Sequence, residues 1–173
     1  MPTYKDISTA FAKYCEDSWQ LRDNAFRSAQ LIFAAITRRG DFPKDALFPY
    51  PTNLDDVNQK TQYTVFGATR YNPEKKHWEF GLVLNVHYKD ATFPREFLRI
   101  AVAIKQTKEG IEISLPGSQV ISTLPLHEGP DTEKQVDVFA DAFCASIVEH
   151  YTTMRDRWLE DENDRKIMGF RMQ

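Results

Sequence analysis

Apolar residues recur at helical spacing through the first forty positions. Ile7, Phe11, Tyr14, Leu21, Ala25, Ile32 and Ile36 form one stripe, which Cys15, Trp19, Phe26 and Phe33 widen. No Pro or Gly interrupts residues 5–38, and Arg38-Arg39-Gly40 makes a helix end. Such a helix measures about 50 Å, longer than a compact domain of this size. It must either break near the DSWQLRDN stretch or overhang the body and pack against another chain, with Trp19, Phe26 and Phe33 as the expected dimer contacts.

Residues 40–60 hold three prolines and no periodicity, which predicts a loop. Phe42, Leu47, Phe48 and Tyr50 are too apolar for a free linker, so the loop should be pinned over the body. From residue 61 the period changes to two, in runs 61–71, 77–88, 95–105 and 110–115. NPEKK and TKEG supply hairpin turns and KDATFP a longer one. In HWEFGLVLNVHY, Trp78, Phe80, Leu82, Leu84, Val86 and Tyr88 face one side. His77, Glu79, Gly81, Val83, Asn85 and His87 face the other.

Matching apolar faces pairs Tyr71 with His77, Leu84 with Leu98 and Ile104 with Ile111. One face becomes a core running from Phe66 and Ala68 through Phe80, Leu82, Ile100 and Val102 to Ile113 and Leu115. On the other face, Gly67, Gly81, Ala101 and Ser114 align as a row of small residues, where something can approach the backbone closely. The chain's own loop filling that groove is one reading. A shallow site for a partner or ligand is the other, with Tyr63, Glu79, Asn85 and Arg99 as its polar and aromatic contacts.

After LPGSQVISTLPLHEGPD, Thr132-x-x-Gln135 has the form of a capping box. Val136, Phe139, Phe143, Ile147, Tyr151, Met154 and Trp158 then give a helical stripe over residues 132–160, and 161–173 form a tail. The expected fold is a single two-layer α+β domain over residues 1–173. An antiparallel meander of four to five strands within 61–124 is flanked by long N- and C-terminal helices, in the order α-β-β-β-β-α.

Composition narrows the functional classes. A 173-residue chain that is 42% hydrophobic, with 12 Phe, 7 Tyr and 3 Trp, has enough apolar surface for one real core. The net charge of −3 supplies no general attraction to nucleic acid or anionic membrane. No apolar stretch approaches the roughly 20 residues that span a bilayer, and the first residues carry acids where a signal peptide needs a basic start. Cys15 and Cys144 sit in helical patterns far apart, which predicts reduced packing residues of a cytoplasmic protein.

Candidate chemistry is sparse. His77 and Glu79 could give two metal ligands, but His87 lies about 33 Å along the strand from His77 and no third ligand falls in line. They are expected to be solvated strand residues, and no metal or cofactor is expected. His127-Glu128 and His150 are read as structural. There is no G-x-S-x-G elbow, no P-loop and no G-x-G-x-x-G. Asp55-Asp56 and EDEND lack the pattern of a Ca²⁺ loop. Arg95, Phe97, Arg99 and Lys105 alternate with Tyr63 and Tyr71 nearby, in the outline of a single-stranded nucleic-acid platform, but Glu79 and Glu112 interrupt it.

The leading expectation is a non-enzymatic protein-interaction module: an adaptor, inhibitor, immunity or chaperone-like subunit, acting as a homodimer with a protein partner. The alternative is a small-molecule binder or enzyme on the open sheet face, with Arg99 anchoring an anionic ligand. A single-stranded nucleic-acid binder comes third.

Overall fold

The computed structural model describes residues 2–43, 45–53, 63–87, 95–126 and 129–160. The expected tail, Asp55-Asp56, EDEND, His127-Glu128 and the KDATFP turn lie largely or wholly outside these residues.

Helix α1 runs unbroken over Tyr4–Gly40, 37 residues and about 55 Å. Its start is a capping box: Thr3 Oγ1 accepts from the Asp6 N–H, and the Asp6 carboxylate accepts from the Thr3 N–H at 2.8 Å. DSWQLRDN holds neither Pro nor Gly, and the chain does not break there. It ends where Asp41 turns left-handed, at φ 45° and ψ 43°.

Among the described residues six strands follow, with one turn of helix between them. They are β1 (Leu47–Tyr50), α2 (Val65–Ala68), β2 (Arg70–Asn72), β3 (His77–His87), β4 (Arg95–Gln106), β5 (Ile111–Ser114) and β6 (Ile121–Leu124). Helix α3 (Pro130–Glu160) closes the fold. The sheet is antiparallel in the order β1-β3-β4-β5-β6, with β2 sharing the outer edge of β3 with β1. This is the expected α+β architecture.

Several local expectations are corrected. The loop of 40–60 contains an edge strand: Leu47 pairs Leu84 and Tyr50 pairs Gly81. Pro49 hides a strand from periodicity, and an edge strand tolerates the missing N–H. The run 61–71 is not one strand. Thr64 Oγ1 accepts from the Gly67 N–H at 3.0 Å and caps the single turn of α2, leaving only Arg70–Asn72 to pair with β3. Phe66 therefore sits outside the core, exposed but with its ring 4.1 Å from that of Phe26.

Register shifts follow from the turns. Asn72 pairs His77, so Tyr71 faces Trp78 rather than His77. Leu84 does pair Leu98, while Ile104 pairs Ile113, two residues from Ile111. A shift of two preserves the face, so the core is unaffected. Thr132 is not the N-cap of α3. It lies in the first turn after Pro130, buried, with its hydroxyl accepting from the Gly129 N–H at 3.1 Å.

The core lies between one sheet face and the two helices. Phe80, Leu82, Val102, Ile104, Ile113 and Leu124 meet Ile32 and Ile36 of α1 and Phe139 and Phe143 of α3. Each such side chain contributes about 1.5–3 kcal/mol on burial. Ala25, Ala29 and Ala140 let the helices approach closely. Arg39 grips both carboxylate oxygens of Asp141, and Arg38 pairs with Asp137. These pairs are exposed, worth at most about 1 kcal/mol each. Burial in α1 begins only at Ala25, so the helix reaches well beyond the sheet.

Candidate functional site

The sheet face away from the helices is partly covered by the chain itself. A Cβ built on Gly81 would lie 2.5 Å from the Tyr50 carbonyl oxygen and 3.5 Å from Thr52 Cγ2. The small residue is there because residues 50–52 cross it. Tyr50, Val83 and Ala103 on this face are buried, and so is Pro51.

The same segment covers the polar end of β3. Glu79 Oε1 accepts from Thr52 Oγ1 at 2.6 Å and from Asn72 Nδ2 at 3.2 Å, while Oε2 lies 3.2 Å from His77 Nε2. The His77 and Glu79 side chains are only 15% and 11% exposed. They are not solvated strand residues, as their polarity alone suggested, but a cluster tying residues 50–52 and the β2–β3 turn to the sheet. Removing Glu79 should therefore cost more than a surface change. Among the described residues, no group of three or more His, Cys, Asp or Glu is placed to hold a metal.

Burial alone would raise the Glu79 carboxyl, but the hydrogen bonds from Thr52, Asn72 and His77 and the nearby Lys75 charge outweigh it and hold the carboxyl below its ordinary range. A folded value below the unfolded one stabilises fully above the ordinary carboxylate range, and that contribution is lost as pH falls through the folded value. Melting curves from roughly pH 5 down to pH 3 should show Glu79→Gln starting less stable by about 1–2 kcal/mol. The variant should also be less acid-sensitive than the wild type. Parallel acid dependence in both would show that Glu79 does not carry this linkage.

Of the proposed face residues, Glu79, Gly81, Asn85, Arg99 and Ala101 share one face of β3 and β4, whereas Tyr63 and Gly67 lie outside the sheet. Tyr63 is half-buried with its ring edge-on to Tyr50, 5.7 Å between centres. Gly67 belongs to α2 and is outside the sheet. Gly81 pairs Ala101 directly, but Ser114 pairs Ala103, so the row of small residues spans two strands rather than four. Asn85 gives its N–H to Ala46 O at 2.7 Å, and its buried Oδ1 has no hydrogen-bond partner among the described residues. Arg99 is exposed.

Among the described residues, six of the exposed large apolar side chains lie on the first half of α1. Tyr4, Ile7, Phe11, Tyr14, Trp19 and Leu21 are all between 43% and 85% exposed. At 100° per residue, Ile7, Phe11, Tyr14 and Leu21 lie on the same face as Ala25, Ala29, Ile32 and Ile36, which is the face turned into the core. One continuous stripe is thus buried over its last four turns and bare over its first five. Of the expected dimer contacts, Trp19 is exposed on this segment. Phe26 packs instead on Phe66 and Trp78, at 4.1 and 5.5 Å, and Phe33 is half-buried against the core. Their spacing in the sequence holds no mark of where the sheet ends.

No helix among the described residues is long and apolar enough to cross a membrane. Comparison of the chain with family models, curated proteins and solved structures returned no match, so the functional reading rests on the geometry of α1 and of the sheet face.

Proposed function

We propose that this protein is a non-enzymatic interaction module (an adaptor, inhibitor, immunity or chaperone-like subunit) that acts in the cytoplasm as a homodimer with a protein partner. The observation that carries this reading is the bare apolar face of residues 4–21 on a rigid, well-capped helix. Exposed apolar surface of this extent marks a place where another surface docks. A helix already ordered in the free protein loses little entropy on binding.

The ligand-binding alternative has weaker support. Arg99 points to solvent, while Glu79 and Gly81 are covered by this chain's own residues 50–52. The nucleic-acid reading is weaker still, because Lys105 pairs across the ladder with Glu112.

Replacing Phe11 and Tyr14 together by Glu tests the reading. Both are exposed, so unfolding should change by no more than about 0.5 kcal/mol per site. Self-association measured by light scattering, and binding to any protein partner, should be lost. Unchanged association in a folded variant would show that α1 is not the interacting element.

A further inference from the structure

We infer that the exposed face of α1 is occupied by the same face of a second copy lying antiparallel, with Tyr4 of each copy seated in a hollow at the root of the other's helix. This rests on α1 being the interacting element, and adds which partner it takes and in which direction.

Direction follows from sterics. The stripe that is bare over residues 4–21 continues into Ala25, Ala29 and Ile32, at most 3% exposed beneath this chain's own sheet and α3. A partner helix running parallel along that stripe would continue, after its residue 24, into the space the sheet occupies. Two sheets cannot both fit between helices packed 8–10 Å apart. An antiparallel partner avoids the collision, because its helix starts at the Thr3 cap and that end arrives where the first chain's sheet begins. Full overlap of the two bare segments sets Tyr4 of one copy opposite Leu21–Ala25 of the other, with a two-fold axis near Lys13.

A receptacle exists at that place. Leu21, Ala25, Tyr71, Trp78, Ile104 and Ile111 line a hollow of about 160 Å³, together with the polar side chains of Asn24, Lys76, His77, Lys105 and Gln106. A volume of about 150 Å³ is enough for one aromatic ring, and the mixed lining suits a phenol, which is apolar on its faces and polar at its tip. Tyr4 is the most exposed large apolar side chain of the stripe, and its phenol can keep its hydroxyl among those polar side chains. The five exposed side chains on or beside the stripe, Tyr4, Ile7, Phe11, Tyr14 and Leu21, three of them aromatic, present on the order of 700 Å², close to the area per partner of a standard stable interface. A two-fold contact of this kind closes on itself and leaves no stripe bare.

Light scattering and spin-label distances test this on the full chain. The wild type should be a dimer at micromolar concentration. Tyr4→Ala should weaken the dimer about tenfold or more, and Tyr4→Phe should restore it. With Cys15 and Cys144 replaced by Ala, labels at Lys13→Cys should lie close together across the axis. Labels at Gln20→Cys should be separated by about 20 Å more along the helix. Equal distances at the two positions would mean a parallel pair and overturn the inference, as would a Tyr4→Ala dimer of wild-type strength. A folded monomer whose Phe11/Tyr14 double variant still loses a protein partner would overturn the second copy while sparing α1 as the interacting element. A monomer whose double variant binds a purified partner as the wild type does would overturn both.

Discussion

Replacing Phe80 by Ala should lower the unfolding free energy by about 3–5 kcal/mol, the range for emptying a fully packed aromatic site. Phe80 is 0% exposed and pairs Val102 at the middle of the sheet, under both long helices. Its site has little freedom to collapse. Strand β3 is held by β4 on one side and by β1 and β2 on the other, and the helices above are spaced by Ala25, Ala29 and Ala140. Urea unfolding should show a lower midpoint with an unchanged slope. A loss near 1 kcal/mol would mean that the helices do not press on this face as described.

The next residue should be nearly as sensitive, for the opposite reason and on the opposite face. Gly81→Val should destabilise by about 1–3 kcal/mol through overpacking, although valine is a favourable strand residue and would be harmless on a solvated face. The new Cβ would sit 2.5 Å from the Tyr50 carbonyl oxygen. That oxygen cannot swing aside, because Tyr50 is paired in the ladder and the following Pro51 is buried. Gly81→Ala should lose part of the same stability, since the Cβ alone makes the clash. Wild-type stability in both variants would remove residues 50–52 from this face. Together, Phe80→Ala and Gly81→Val distinguish a sheet packed on both sides at β3 from a sheet with one open face.

The periodicity of the chain by itself determined the two long helices, the period-two middle, the Leu84–Leu98 register and which residues of β3 face the core. Those features follow from local rules: 3.6 residues per turn, two per pleat, and the cost of turning Phe80 or Leu82 toward water. Tertiary structure alone decided the rest. A strand at Leu47–Tyr50 was illegible because Pro49 erases its pattern, and it exists only because β3 offers an edge. The Thr64-capped turn replaced a strand because one hydroxyl bond to Gly67 captured the backbone locally. His77 and Glu79 became buried when Thr52 and Asn72, 25 and 5 residues from His77 along the chain, were brought to them. The length of α1 was written in its stripe, but the stripe reads alike from Ile7 to Ile36. Where it passes from bare to buried is set by where the sheet ends, and that boundary at Ala25 is a property of the packed molecule, not of the helix.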